Sequence, residues 1–218
     1  GLDAALANES TVVDPAGAGM VWKLDDFVFV KPLGNGNFGI VCISVPKKNP
    51  TFSFAVKYEI FYPSLFVNYF ARPMACQSVV NHENIVQVFG WFAISQPEAS
   101  ATDKPEPIVI ATITEEYSSI TSTKAIKDPS LVGIDTNDEE GKDLWIIDVM
   151  QQLLSGLSAC ADKKMVHRDL NPDNVYPGKD NATWKIGDFG LARPFTVDEK
   201  ITTLTLGFAP LACSPMQA

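Results

Sequence analysis

His167-Arg168-Asp169-Leu170-Asn171-Pro172-Asp173-Asn174 is the stretch on which the reading of this 218-residue sequence turns. It follows directly on a segment with helical period. Leu144, Ile147, Leu154, Leu157 and Ala161 recur on one face, and Val149, Met150 and Leu153 widen it, so residues 144–161 are expected to form an amphipathic helix. Beyond the loop lie short strand-like pieces around Val175 and at Lys185-Ile186, the second leading into Gly187-Asp188-Phe189-Gly190. Ahead of the helix the texture is different. Residues 27–33, 40–45, 52–58, 85–92 and 108–114 are β-favouring runs. Residues 96–107, with Pro97, Pro105 and Pro107, read as a loop. Residues 118–141 read as polar and irregular, with Asp138-Glu139-Glu140 on a solvated loop. The plan is a strand-rich first half, a connector and a helical start to a second half.

Two features of the strand-rich half carry chemistry. Phe54-Ala55-Val56-Lys57 ends a β-run in a lysine, which is costly to bury unless an anion meets it. Gly34-Asn35-Gly36-Asn37-Phe38-Gly39 is G-x-G-x-x-G, a pattern whose glycines let backbone N–H groups approach a polyphosphate. Alone it is a weak signal. In a dinucleotide fold the same motif joins a strand to a helix, and Glu59 even falls 20 residues after Gly39, where that fold wants a ribose carboxylate. The residues that follow decide against it: 40–45 are β-favouring, and Pro46 and Pro50 leave no room for a crossover helix. A plain hairpin turn is the other alternative.

Taken in order, the glycine loop, the strand lysine, the 167–174 loop and Asp188-Phe189-Gly190 resemble the motif set of eukaryotic protein kinases. The resemblance covers about residues 22–211. It implies an α+β, two-lobed protein-kinase-like fold with a β-rich N-lobe and an incomplete helical C-lobe. Residues 1–21 would be a flexible tail, 22–117 the N-lobe and hinge, and 118–218 a partial C-lobe with catalytic loop, D-F-G and activation segment. It further implies transfer of the γ-phosphoryl group of ATP, with Mg²⁺, to a protein substrate. On that basis Lys57 would hold the α- and β-phosphates, Asp169 would accept the proton of the substrate hydroxyl, and Asn174 and Asp188 would hold Mg²⁺. Leu33, Gly34, Gly36, Gly39, Val41 and Ala55 would bind the nucleotide, with the hinge near Glu116-Tyr117.

A finer similarity is to Aurora-type serine/threonine kinases. It rests on Trp22-Lys23-Leu24-Asp25-Asp26-Phe27 and the glycine loop, on Gln77-Ser78, on His82-Glu83-Asn84-Ile85-Val86 and on Phe89-Gly90-Trp91-Phe92. Thr202-Thr203-Leu204 sits where that group has its activating threonines, so Thr203 is the expected phosphosite, with Thr202 and Thr205 behind it, docking on Arg168. The pattern departs from the family in four places. The helix-C glutamate that should pair with Lys57 falls at Pro73, so that helix is expected to be broken, shifted or merely started there. The catalytic-loop lysine is Asn171, which can donate a hydrogen bond to the γ-phosphate without bringing charge. Leu211 stands where the activation segment should close on glutamate. The sequence stops at Ala218, before the helices that cover residues 144–161 in the family, so the chain is expected either to be a fragment of a longer one or to need a regulatory protein partner over that apolar face. These departures keep a second reading open: a pseudokinase or kinase fragment acting as a nucleotide-binding or protein-interaction module.

Bulk properties agree with a globular domain: 46% hydrophobic, 20% charged, 10% aromatic. The net charge of −9 argues against a nucleic-acid or anionic-membrane surface, which needs a basic footprint. No segment reads as a membrane span. The four cysteines Cys42, Cys76, Cys160 and Cys213 are far apart in sequence and suit a reducing compartment, cytoplasmic or nuclear.

Overall fold

The first half of the chain is ordered by side-chain alternation along strands. The structure is a computed structural model that describes residues 12–13, 19–20, 22–36, 39–94 and 106–195. It divides into two compact units, Gly1–Arg72 with Gln87–Glu116, and Pro73–Val86 with Tyr117–Ala218.

In the first unit β1 (Val12–Val13) and β2 (Gly19–Met20) form a short antiparallel pair, so part of the segment expected as a tail is paired strand. Next come β3 (Phe27–Gly36), β4 (Gly39–Pro46), β5 (Phe54–Phe61), β6 (Val88–Ala93) and β7 (Ile108–Glu115). They form one five-stranded antiparallel sheet in the order β3-β4-β5-β7-β6. Phe54, Val56 and Tyr58 of β5 face a core with Trp22, Phe27, Phe92, Ala111 and Ile113. Because successive residues alternate, Ala55, Lys57 and Glu59 point the other way. β3 runs past the expected end at Leu33, with register shifts at Phe29/Lys31 and Pro32/Gly34. These bulges fit a strand containing Pro32, which has no N–H to give the ladder. The strand expected at 85–92 starts at Val88; Ile85 instead makes an isolated parallel bridge to Ile186 in the second unit's core.

After β5 a helical run begins at α1 (Pro63–Phe66), widens into a π turn (Val67–Ala71) and continues as α2 (Arg72–Ser78). Pro73 therefore neither starts the run nor ends it. Pro63 occupies the first helical turn, where its missing N–H costs nothing. A proline ring collides with the carbonyl four residues back in a regular α-helix, and the wide turn just ahead of Pro73 is the kind of distortion that relieves this.

The second unit holds α3 (Ser122–Lys127), a 3₁₀ turn (Pro129–Val132) and the long α4 (Glu139–Asp162). Two short antiparallel pairs follow: β8 (Met165–Val166) with β11 (Arg193–Pro194), and β9 (Val175–Pro177) with β10 (Trp184–Ile186). The segment 118–141, expected to be irregular, thus contains α3 and the start of α4. Its acidic run is not a loop: the Asp138 carboxylate accepts from the Gly141 N–H at 2.9 Å, and Glu139 and Glu140 occupy the first turn, where the helix dipole favours negative charge.

Two apolar clusters fix α4. Cys160 joins Cys76, Val80, Ile85, Met165, Ile186, Phe189 and Ala192, while Val149 joins Ala125, Val132, Val175 and Trp184. Buried Asn84 donates to Gln152 Oε1 and to the Trp184 carbonyl, each at 3.0 Å, and Gln152 Oε1 accepts from the Trp184 N–H at 2.7 Å. Gly156 permits the approach, since a Cβ there would lie 2.9 Å from the Asn84 carbonyl oxygen. On the other side of α4, Leu144, Ile147, Met150 and Leu154 are exposed. Contrary to the sequence expectation, α4 is long and apolar enough to cross a membrane by length and composition. Within this unit Val149, Gly156 and Cys160 are its buried residues, and Gln152 ties it to Asn84 and Trp184. Cys42, Cys76 and Cys160 are free and buried, and burial pushes the Cys160 thiol up to about 11. Cys213 lies outside the described residues.

Candidate functional site

In the first unit the ladder register collects the expected nucleotide residues on one face. Gly39 lies opposite Glu59, Val41 opposite Lys57 and Ile43 opposite Ala55. Lys57 in turn lies opposite Thr112 on β7. Side chains directly across a ladder share a face, so Val41, Ala55, Lys57, Glu59 and Thr112 stand together on the side away from the aromatic core. Ala55 is buried, while Leu33 and Val41 are half-buried. Gly34 is exposed, and a Cβ on it would meet nothing within 4 Å. Gly39 has no such latitude: a Cβ there would fall 2.1 Å from the Tyr58 carbonyl oxygen and 3.0 Å from Glu59 Cγ. Gly36 pairs with Gly39 at the end of the hairpin. Asn37 and Phe38 lie outside the described residues.

Lys57 Nζ is 2.9 Å from Glu59 Oε1, and the two side chains are only 21% and 12% exposed. The absent helix carboxylate is therefore not the end of the matter for this lysine. In the sequence, Glu59 has a place in the discarded dinucleotide alternative and does not suit the helix that should carry the partner of Lys57. The signal that finds it is the period-2 alternation, which puts residues two apart on the same strand face. The Thr112 hydroxyl nearby is buried and makes no hydrogen bond among the described residues.

In the second unit the loop 167–174 is closed by its own side chains. Asn171 stands before the 3₁₀ turn Pro172–Asn174, its Oδ1 accepting from the Asp173 N–H at 2.9 Å and its Nδ2 donating to the Asp169 carbonyl at 3.0 Å. Asn174 is buried; its Nδ2 donates to the Asp169 carbonyl at 2.8 Å and to Asp169 Oδ2 at 3.0 Å, which turns the amide oxygen to the opposite side. The segment after β10 that carries Asp188 is stitched to this loop: the Gly187 N–H donates to the Asn174 carbonyl at 2.9 Å, and His167 Nε2 lies 2.9 Å from the Gly187 carbonyl. His167 Nδ1 accepts from the Asp169 N–H at 3.2 Å, so Nε2 carries the proton. Burial holds the His167 pKa below its ordinary 6.5, against the opposing pull of the Gly187 carbonyl and of Asp188 and Asp169. Arg168 and Asp188 both adopt the left-handed region, with φ of 70° and 51°. Strained backbone at two loops that carry the charged groups is the usual pattern of functional sites.

The expected hinge residues sit where the chain passes from one unit to the other, between Glu116 and Tyr117. Glu116 accepts a short hydrogen bond from the Ser53 hydroxyl, and the Tyr117 ring stands 4.6 Å from that of Tyr176. Thr202, Thr203, Thr205 and residues 207–211, including Leu211, lie outside the described residues.

Protein kinases normally use ATP with Mg²⁺, and the donor set fits that pair. Mg²⁺ takes hard oxygen ligands, which the Asp188 carboxylate and the outward amide oxygen of Asn174 are. The bare Gly39 and the paired Lys57 suit a polyphosphate. The comparisons with known proteins point the same way. The family model described as "Protein kinase domain" matches residues 27–210. The chain is 26% identical over 190 residues to "Aurora/IPL1-related protein kinase 2" of Caenorhabditis elegans, covering 85% of this chain and 54% of that one. It is 28% identical over 200 residues to "Probable serine/threonine-protein kinase fhkA" of Dictyostelium discoideum, covering 88% and 30%. It is also 28% identical over 182 residues to "Tyrosine-protein kinase SRK3" of Spongilla lacustris, covering 81% and 47%. The chain thus spans about half or less of the length of these relatives.

Proposed function

The chain belongs to the protein kinase domain family, and from that premise we propose that it transfers the γ-phosphoryl group of Mg·ATP to serine or threonine hydroxyls of a protein. The observation that carries this reading is the Asp169–Asn174 pair. A general base works when its carboxylate is held in one orientation, and the Asn174 amide fixes Oδ2 of Asp169, so that Asp169 can accept the proton of the attacking hydroxyl. Asn174 Oδ1 and the Asp188 carboxylate would hold the Mg²⁺, and Lys57 would meet the phosphates. Mg²⁺ with ATP supplies the transferable group and neutralises its charge. Asn171 spends one of its N–H bonds on the loop itself, and the other donates to the γ-phosphate without bringing charge. This predicts slow transfer, because charge-assisted hydrogen bonds are about twice as strong as neutral ones. Serine/threonine preference is supported by the Aurora-type similarity and by Pro172 in the catalytic loop.

One observation favours a second reading, that of a nucleotide-binding pseudokinase: the helical run 63–78 contains no Asp or Glu to pair with Lys57. Thermal denaturation with and without Mg·ATP, together with phosphate transfer to a generic protein substrate, separates the two. Ligand at about a hundredfold above its Kd raises stability by about 2.7 kcal/mol. We expect that shift and measurable transfer in the wild type, with both lost in Asp188→Ala. Binding without transfer selects the pseudokinase, and no binding removes both.

A further inference from the structure

We propose that Glu59 is the positioning carboxylate of Lys57, replacing a helix glutamate with one on the lysine's own strand. This rests on the function proposed above. A lysine ammonium is a point charge on a flexible four-carbon stem and needs a fixed anion to hold it extended. No Asp or Glu occurs between Ile60 and His82, so the helical run has none to offer. Glu59 Oε1 lies 2.9 Å from Lys57 Nζ, and both side chains are largely shielded from water. That shielding distinguishes the pair from an exposed surface ion pair, which is worth roughly 0–1 kcal/mol.

The hairpin is shaped around this carboxylate. Gly39 lies directly across the ladder from Glu59, and the space in which its Cβ would stand is 3.0 Å from Glu59 Cγ. The last glycine of the loop thus clears room for Glu59. The arrangement lies wholly within the first unit. A carboxylate two residues along the same strand keeps its distance to the lysine whatever the helix does. The Lys57–Glu59 pair therefore does not depend on helix movement.

The test uses the full chain and its Glu59→Gln, Lys57→Met and double variants. Three readouts are compared: kcat/KM for Mg·ATP, melting temperature, and the rate at which Lys57 is labelled by an amine-directed reagent, read by peptide mass. Displacing a positioned group by about 1 Å costs about a hundredfold, so Glu59→Gln is expected to lower kcat/KM by about that factor at unchanged melting temperature. It should also label Lys57 several times faster, and should add less than about twofold to the loss in Lys57→Met. Unchanged labelling, an effect of Glu59→Gln that persists undiminished beside Lys57→Met, or a loss of kcat/KM that only tracks a loss of stability would each overturn the proposal. Absence of Mg·ATP binding by the wild type would sink the proposed function instead, while the labelling arm still decides whether Glu59 holds Lys57.

Discussion

The imidazole of His167 packs edge-on against Phe189 with ring centroids 4.5 Å apart, and it ties the catalytic loop to the strand before Asp188. Its pKa in the fold lies below 6.5, so between that value and the folded one the unfolded chain binds more protons than the native chain. Stability there rises with pH. The His167 contribution is complete above 6.5 and is lost as pH falls toward the folded value. Urea midpoints measured from neutral to mildly acidic pH should decline below 6.5, and the decline should be smaller in His167→Gln, whose amide keeps a donor without titrating. The roles expected of Asp169, Asn174 and Asp188 could be read from their motif. The tautomer of His167 and the service of Asn171 as a loop brace could not, because both are set by bonds to carbonyls that only the folded backbone brings near.

At the level of elements, β5 is the organising piece. Its odd positions from Ala55 to Glu59 carry the candidate site, and its even positions carry the aromatic core. Gly39 is the tightest point of the ladder. Gly39→Ala would drive a Cβ into the Tyr58 carbonyl, a backbone atom with no rotamer to yield, and is expected to cost about 1–3 kcal/mol as an overpacking change. Gly34→Ala meets nothing within 4 Å and should stay within about 0.5 kcal/mol. Denaturant midpoints of the two variants provide the comparison, and equal losses would count against this account. The strands were legible because β-branched and aromatic residues cluster in short runs between turn residues. The helical run was legible only in part: the family resemblance places a helix at Pro73, but its start at Pro63 and the π turn ahead of Pro73 leave no periodic signal in the sequence. The start of α4 was missed for a related reason: the same acidic residues serve equally a solvated loop and a helix N-terminus, and only the Asp138 cap distinguishes them.

For the molecule as a whole, the exposed stripe of Leu144, Ile147, Met150 and Leu154 on α4 is a contiguous apolar surface. Such patches drive association. Light scattering is expected to show concentration-dependent self-association of the wild type. Replacing Leu144, Ile147 and Leu154 by glutamine should reduce it without lowering the melting temperature, since these side chains lie outside both apolar clusters of the second unit. Both the helical stripe and the two-part plan were legible in the sequence. The interleaving of the chain was not, because it depends on where residues 73–86 dock. Those residues belong to the second unit and give it Cys76, Val80 and Ile85. The two parts are thus not consecutive paragraphs of the polypeptide, and no single scission separates them. A chain begun at Tyr117 would be born with a hole where Val80 and Ile85 belong, whereas a nick between residues 95 and 105 would leave both halves of the second unit's core intact. A C-terminal fragment meant to fold alone must therefore bring the 73–86 segment with it.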